Sequence, residues 1–253
     1  MAVSAAEGPC TTDLLLGGRV RLRQPRAGFR AATDAVLLAA AVPAKPGEAV
    51  LDLGCGAGAA ALCLAARVPG LRLAGLELQP EYAALARENA GLNGAALEVF
   101  EGDVAAPPAA LRQMSFDHAM MNPPWFEAEA AAPPPDAGKA TAHVGGALAP
   151  WFACALARLR PGGRLACIQR VERLPEMLAA LAGRAGDVAV LPVAGRAGRA
   201  AKRVIVAARK GARGPFRLLA PLVMHAGPAH LADEDDFSDD ATAILRDAAA
   251  IGM

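Results

Sequence analysis

Three glycines and three acids in this chain are spaced as a nucleotide-like ligand would need them. Gly54, Gly56 and Gly58 follow the run Val50-Leu51-Asp52-Leu53 and precede an apolar stretch rich in alanine. Glycine lets the backbone turn tightly there, and lets a ligand approach without meeting a Cβ atom. Asp52, just before the first glycine, can reach a cationic ligand or order the loop. Glu77 closes the next apolar run, where a carboxylate can accept both hydroxyls of a ribose. Asp103, in Glu101-Gly102-Asp103, closes a third run, near where an adenine amino group would lie. The glycines alone discriminate little, because Gly54, Gly56 and Ala59 also satisfy the dinucleotide pattern G-x-G-x-x-G/A. Each acid alone could be a helix-capping loop carboxylate. Three at the ends of successive strands are harder to explain that way.

A second cluster is Asn122-Pro123-Pro124-Trp125-Phe126, at the end of another apolar run. Two prolines fix φ and remove two N–H donors, so the Asn122 side chain and the Pro123 carbonyl are held as acceptors. Such a pair suits a planar NH₂ group. An exocyclic amine is a poor nucleophile, and accepting both of its hydrogens returns electron density to nitrogen in the transition state. The Trp125 ring can stack on a base and fix its plane. The plainer reading is a proline-rich turn that ends a strand.

These residues need a scaffold that brings several strand ends together. Short β-like runs alternate with helix-like runs, the mark of an α/β, doubly wound parallel sheet covered on both faces. Strands are expected at 48–53, 71–77, 97–101, 116–121, 163–169, 187–193 and 203–209. Helices are expected from Thr33, with its hydroxyl as cap, to Val42, at about 58–68, from Pro80 to Leu92, and near 148–160 and 173–184. Residues 11–23 read as a hairpin turning at Gly17-Gly18. The Ala- and Pro-rich stretch 127–145 reads as a loop. The organisation expected is an N-terminal element over residues 1–45, a catalytic domain over 46–210, and a C-terminal extension with an acidic tail over 211–253.

Composition narrows the classes. With 253 residues, 54% apolar and 20% charged, the chain is expected to fold around a large core. Five widely spaced cysteines without a C-x-x-C pair argue against a disulfide framework or a zinc site, and fit a reducing cytoplasm. The four histidines show no zinc spacing, so no metal is expected. The start MAVSAAEGPC lacks the features of a secretory signal, and no apolar run nears the roughly 18 residues of a membrane span. Net charge is only +1, but basic residues are clustered. Arg19, Arg21, Arg23, Arg26 and Arg30 form one segment without acids, and the eight basic residues from Arg196 to Arg217 form another. Arg19, Arg21 and Arg23 at i, i+2 spacing read as a stripe on one strand face. Acids collect instead from Asp233 to Asp240.

The segments LDLGCGAG, GLELQP and EGDV resemble the class I S-adenosylmethionine-dependent methyltransferases. The resemblance implies S-adenosylmethionine as cofactor and a seven-stranded Rossmann-like sheet whose last strand is antiparallel. It also implies a cofactor set of Asp52, Gly54, Gly56, Gly58, Glu77, Leu78, Asp103, Val104 and Asn122. Asn122, Pro123, Pro124 and Trp125 resemble the Asn-Pro-Pro-aromatic motif of amino methyltransferases acting on adenine N6, guanine N2 or the glutamine amide, with Trp where Tyr or Phe is commonest.

Residues 24–38, with Gln24-Pro25-Arg26-Ala27-Gly28-Phe29-Arg30 and Thr33-Asp34-Ala35-Val36-Leu37-Leu38, are similar to the N-terminal signature of the tRNA1(Val) (adenine-37-N6)-methyltransferase family. The stretch from Lys202 to Gly211 resembles that family's final strand and basic exit. The likeness implies N6-methylation of an adenine in the tRNA anticodon loop, a cytoplasmic setting and a tRNA partner. An adenine already in a single-stranded loop is splayed out at modest cost. The substrate set is then Phe29, Arg30, Phe126, Lys139, Arg199, Lys202 and Arg203. Alternatives are guanine N2 in ribosomal RNA, a protein glutamine amide, an RNA-binding protein without turnover, and a nicotinamide-dependent oxidoreductase that rests only on the glycine overlap. The sequence gives no oligomeric state.

Overall fold

The structure, a computed structural model, describes residues 10–124, 147–227 and 236–253. The hairpin forms as read: β1 (Cys10–Leu15) pairs antiparallel with β2 (Val20–Pro25). α1 (Thr33–Ala41), β3 (Ala49–Leu53), α2 (Ala59–Arg67), β4 (Arg72–Glu77), α3 (Pro80–Leu92), β5 (Leu97–Glu101), the short α4 (Ala109–Arg112) and β6 (Phe116–Met121) follow. Then come α5 (Ala149–Arg158), β7 (Leu159–Arg170), α6 (Leu174–Leu181), β8 (Ala185–Arg196), β9 (Arg203–Lys210), β10 (Arg217–Leu218), β11 (Leu222–His225) and α7 (Asp239–Asp247). Thr33 does not cap α1: the cap position is Ala32, with no side-chain bond. α1 is buried from Ala35 to Ala41, so packing fixes its start without a cap.

The main sheet runs β5-β4-β3-β6-β7-β9-β8, with β9 antiparallel to both neighbours, which is the seven-stranded sheet expected. Two short strands, β10 and β11, extend it to nine along β8. At two and four residues they carry too little alternation to be read from sequence, and they cover an edge that would otherwise offer unpaired backbone groups. Alternation along β3 sorts the core. Val50 faces the layer of α1, α2 and α7, while Ala49, Leu51 and Leu53 face the layer of α5 and α6.

The strand order reverses between β3 and β6, which lie side by side in parallel with Leu53 opposite Met121. Ligands of open α/β sheets bind at the carboxyl ends of strands at such a switch point. The two sequence clusters begin one residue beyond Leu53 and Met121, at Gly54 and Asn122.

The C-terminal segment is woven into the fold. β11 pairs with β8, α7 contacts α1, and the Ile251 N–H donates to Ala40 at 2.8 Å. The acids Asp239 and Asp240 occupy the first turn of α7 behind the Ser238 cap, where a helix N-terminus favours negative charge. Asp236 pairs with Arg196 and with His225. Among the described residues no helix is long and apolar enough to cross a membrane.

Candidate active site

The glycine loop is tied to the sheet by the Gly54 and Cys55 N–H groups, which donate to Leu76 at 2.7 and 3.1 Å. Gly54 has φ +66°, and a Cβ there would lie 2.6 Å from the Trp151 ring on α5. Conformation and space both demand glycine at this position. Gly58 caps α2 at φ +87°. Beneath the loop, buried Asn89 of α3 donates to the carbonyls of Ala57 and Arg23, both at 2.9 Å, and accepts the Arg23 N–H at 2.8 Å. It thereby ties the N-terminal hairpin to the glycine loop. Neither Trp151 nor Asn89 was legible as a site residue, since each acts through a neighbour distant in sequence.

Glu77 ends β4 with both carboxylate oxygens on backbone donors: Oε2 accepts Gly56 N–H at 2.8 Å and Oε1 accepts Gln79 N–H at 2.9 Å. Each oxygen keeps lone-pair capacity for a further donor. Asp103 Oδ1 accepts the Ala105 N–H at 2.8 Å and leaves its side chain at the exposed edge. Leu78, beside Glu77, is 61% exposed, and Val104 is half-buried. An exposed leucine beside a carboxylate offers apolar surface on which a flat ring can pack.

Asp52 is 3% exposed, and its Oδ2 has no hydrogen-bond partner. Burial pushes its carboxyl up to about 8, against the lowering pull of the Ala61 N–H in the first turn of α2 and with help from the Glu77 charge. The group thus meets the first turn of α2 through the Ala61 N–H and keeps one oxygen unmatched beside the glycine loop. An orphaned carboxylate oxygen, a glycine cradle and a ribose-type acceptor fit a cationic nucleoside cofactor.

Asn122 is half-buried, and its side chain makes no hydrogen bond among the described residues. The Pro123 carbonyl accepts Gln169 Nε2 at 2.9 Å, so that acceptor is already held from β7. Phe29 is 52% exposed and lies 3.9 Å from where a Gly56 Cβ would stand. Its carbonyl accepts the Tyr82 hydroxyl at 3.0 Å, which anchors the N-terminal segment on α3 beside the glycine loop.

The basic segments divide in space. Arg196, Arg199, Lys202 and Arg203 lie at the carboxyl ends, around the β8–β9 connection. Arg209, Lys210 and Arg213 lie at the opposite edge, because β9 carries the chain away from the site. Arg30 pairs with Asp13 and donates to Thr11 and Pro25, and Arg203 pairs with Asp34 at 2.9 Å. Arg199 and Lys202 are exposed and make no side-chain bond among the described residues. The expected stripe of three arginines does not form: Arg19 falls in the hairpin turn, and Arg23 pairs with Glu88. Trp125, Phe126 and Lys139 lie outside the described residues. Among the described residues no cluster of metal-binding side chains occurs.

Comparison with known proteins bears on the chemistry. The family described as methyltransferase small domain matches residues 31–190. A tRNA1(Val) (adenine(37)-N6)-methyltransferase of Porphyromonas gingivalis is 31% identical over 174 residues, 66% of this chain and 68% of that protein. A protein of the same name from Yersinia enterocolitica is 36% identical over 121 residues, 45% of this chain and 48% of that one. Thus the chain spans about two thirds of one curated relative and about half of the other. Among solved structures, a predicted O-methyltransferase from Agrobacterium tumefaciens superposes with a TM-score of 0.72 at 30% identity, covering 87% of this chain and 99% of that one.

Proposed function

We propose that this chain, which belongs to the methyltransferase small domain family of class I enzymes and uses S-adenosylmethionine, methylates the N6 amine of an adenine in RNA, adenine-37 of the tRNA1(Val) anticodon loop. When bound, the cofactor supplies an electrophilic methyl group on a sulfonium. Gly54, Gly56 and Gly58 would hold its amino-acid portion, with Asp52 toward the ammonium group. Glu77 would hold the ribose, and Asp103, Leu78 and Val104 the adenine.

One observation carries the choice of an amine: the unpartnered Asn122 side chain stands beside the Pro123 carbonyl at the switch point, next to the glycine loop. Two neutral acceptors match the two hydrogens of an NH₂ group and draw its lone pair out of the ring. Neither is basic, so the proton lost from nitrogen after bond formation goes to water. A hydroxyl acceptor would call for a general base, which a carboxamide does not supply. The choice of RNA is supported by Arg199 and Lys202, exposed cations on the same edge without a side-chain partner among the described residues, and by the names of the two tRNA1(Val) methyltransferase relatives. Trp125 and Phe126 would stack the target base, with Lys139 and Phe29 beside it. Residues 1–45 would close over the site, and Arg30 and Arg203 would support that element through Asp13 and Asp34.

Incubating the protein with methyl-labelled S-adenosylmethionine and, in parallel, unmodified tRNA1(Val), ribosomal RNA and a peptide release factor tests the reading. Label is expected in the tRNA. Label in ribosomal RNA or the release factor instead would reassign the acceptor to guanine or to a glutamine amide.

A further inference from the structure

The strand β7 contributes a buried polar side chain that the chemistry above leaves unused. Gln169, one residue before the end of β7, is 1% exposed. Its Nε2 donates to the Pro123 carbonyl at 2.9 Å, and its Oε1 accepts the Arg170 N–H at 2.9 Å. A carboxamide is costly to bury, and an apolar side chain would fill the same space without that cost. What distinguishes glutamine here is the bond it makes.

That bond lies where the backbone can no longer make one. After an irregularity between Phe116 and His118, the β6–β7 ladder runs in register from His118 opposite Arg164 to Met121 opposite Cys167. Continuing the register sets Pro123 opposite Gln169, but Pro123 and Pro124 have no N–H to offer a ladder. The Gln169 side chain takes over there and fixes the direction of the Pro123 carbonyl. A carbonyl oxygen has two lone pairs, so one remains available after Gln169 is satisfied.

We propose that Gln169 is a positioning residue for methyl transfer: it aims the remaining lone pair of the Pro123 carbonyl so that, with the Asn122 carboxamide, it receives the acceptor amine. The inference rests on reading Asn122-Pro123-Pro124 as an amine site. It adds that the geometry of this site is set from β7 as well as by the prolines. Gln169 touches neither cofactor nor acceptor and works only through the carbonyl it holds.

Single-turnover methyl transfer from S-adenosylmethionine to transcribed tRNA1(Val) tests this with two variants. Gln169→Met keeps the bulk and removes the donor. Its transfer rate is expected to fall roughly 10- to 100-fold, the usual range for losing a group that orients an active-site ligand, with cofactor and tRNA affinities within about twofold of wild type. In Gln169→Glu the carboxylate cannot donate to the carbonyl, whereas the protonated carboxyl can. Burial raises the pKa of such a group, so the rate of this variant relative to wild type is expected to climb as pH falls from about 9 to about 6. A purely space-filling role would give no such profile. A wild-type rate in Gln169→Met overturns the proposal. If that variant fails to fold, a Gln169→Glu rate that keeps a constant ratio to wild type across the pH range overturns it instead. A wild-type protein that methylates no tRNA, ribosomal RNA or release factor strikes the amine reading itself and takes this inference with it.

Discussion

The two edges of the central sheet are built from similar residues and differ in what is left unsatisfied. At the amino ends the strand-borne polar groups find partners. Arg209 donates to Gly162 at 3.0 Å, Lys210 to Leu159 at 2.6 Å, and His118 meets Glu48 at 2.9 Å. Asp117 accepts the Ala49 N–H and pairs with Arg160, and among the described residues the buried atoms left over there are His118 Nδ1 and Arg67 Nε, each on a side chain that bonds through another nitrogen. At the carboxyl ends, among the described residues, Asp52 Oδ2 is buried without a partner, the Asn122 side chain makes no hydrogen bond, and Arg199 and Lys202 are exposed. Folding pairs buried polar groups wherever it can, because leaving one unmade costs roughly 1–3 kcal/mol. The carboxyl edge differs in that a buried carboxyl, a half-buried carboxamide and two exposed cations there have no side-chain partner among the described residues, which leaves them for a ligand.

Breaking the carboxyl edge at Asn122 has the largest expected effect. Asn122→Ala should lower the methyl-transfer rate by about 10²–10³, the scale of one lost transition-state hydrogen-bond partner. Cofactor affinity measured by calorimetry should stay within a few-fold if the side chain receives the amine, as proposed. An unchanged rate with substrate bound would move the reacting amine elsewhere.

Asp52 sharpens the comparison through pH. Its carboxyl is raised from 3.8 to about 8 in the native state, so between those values the folded protein holds a proton that the unfolded chain has released. The associated stability is fully present below the lower value and is lost as pH rises to the upper one, at up to about 1.4 kcal/mol per pH unit. The cofactor-free protein should therefore melt at lower temperature as pH climbs from 5 to 8, and Asp52→Asn should flatten that dependence. A cationic cofactor favours the ionised carboxylate, so its affinity should rise over the same range. Parallel melting curves for wild type and Asp52→Asn would remove this role.

The smallest effect compares the edges directly. Replacing Arg199 and Lys202 together by alanine should weaken tRNA binding and reduce the log–log salt slope by roughly 0.7–0.9 for each phosphate that the protein no longer neutralises. Replacing Arg209 and Arg213 at the opposite edge should leave that slope unchanged. Equal slopes for both pairs would make the carboxyl-edge cations an ordinary solvated surface.

Much of this was readable along the chain because it depends on neighbours in sequence. Pro80 opens α3 where the proline rule puts it, a short apolar run marks β3, and the glycines and acids fall at the strand ends that carry them. What sequence missed depends on register between strands. Gln169 matters because β6 and β7 align it with Pro123, and Trp151 because α5 brings its ring onto Gly54. Charge runs misled for the same reason. β9 spans eight residues, about 26 Å at strand rise, so one basic segment serves two opposite edges. Asp13 and Asp34, outside the acid-free segments, neutralise Arg30 and Arg203 across the fold.

Position-resolved mass spectrometry of tRNA1(Val) after incubation with the protein and S-adenosylmethionine tests the central claim most directly. One added methyl group is predicted, in the anticodon-loop fragment, recovered as N6-methyladenosine and absent when Asn122→Ala replaces the wild-type protein. A methyl group on guanine N2 or a ribose hydroxyl, or one installed equally well by Asn122→Ala, would contradict the account.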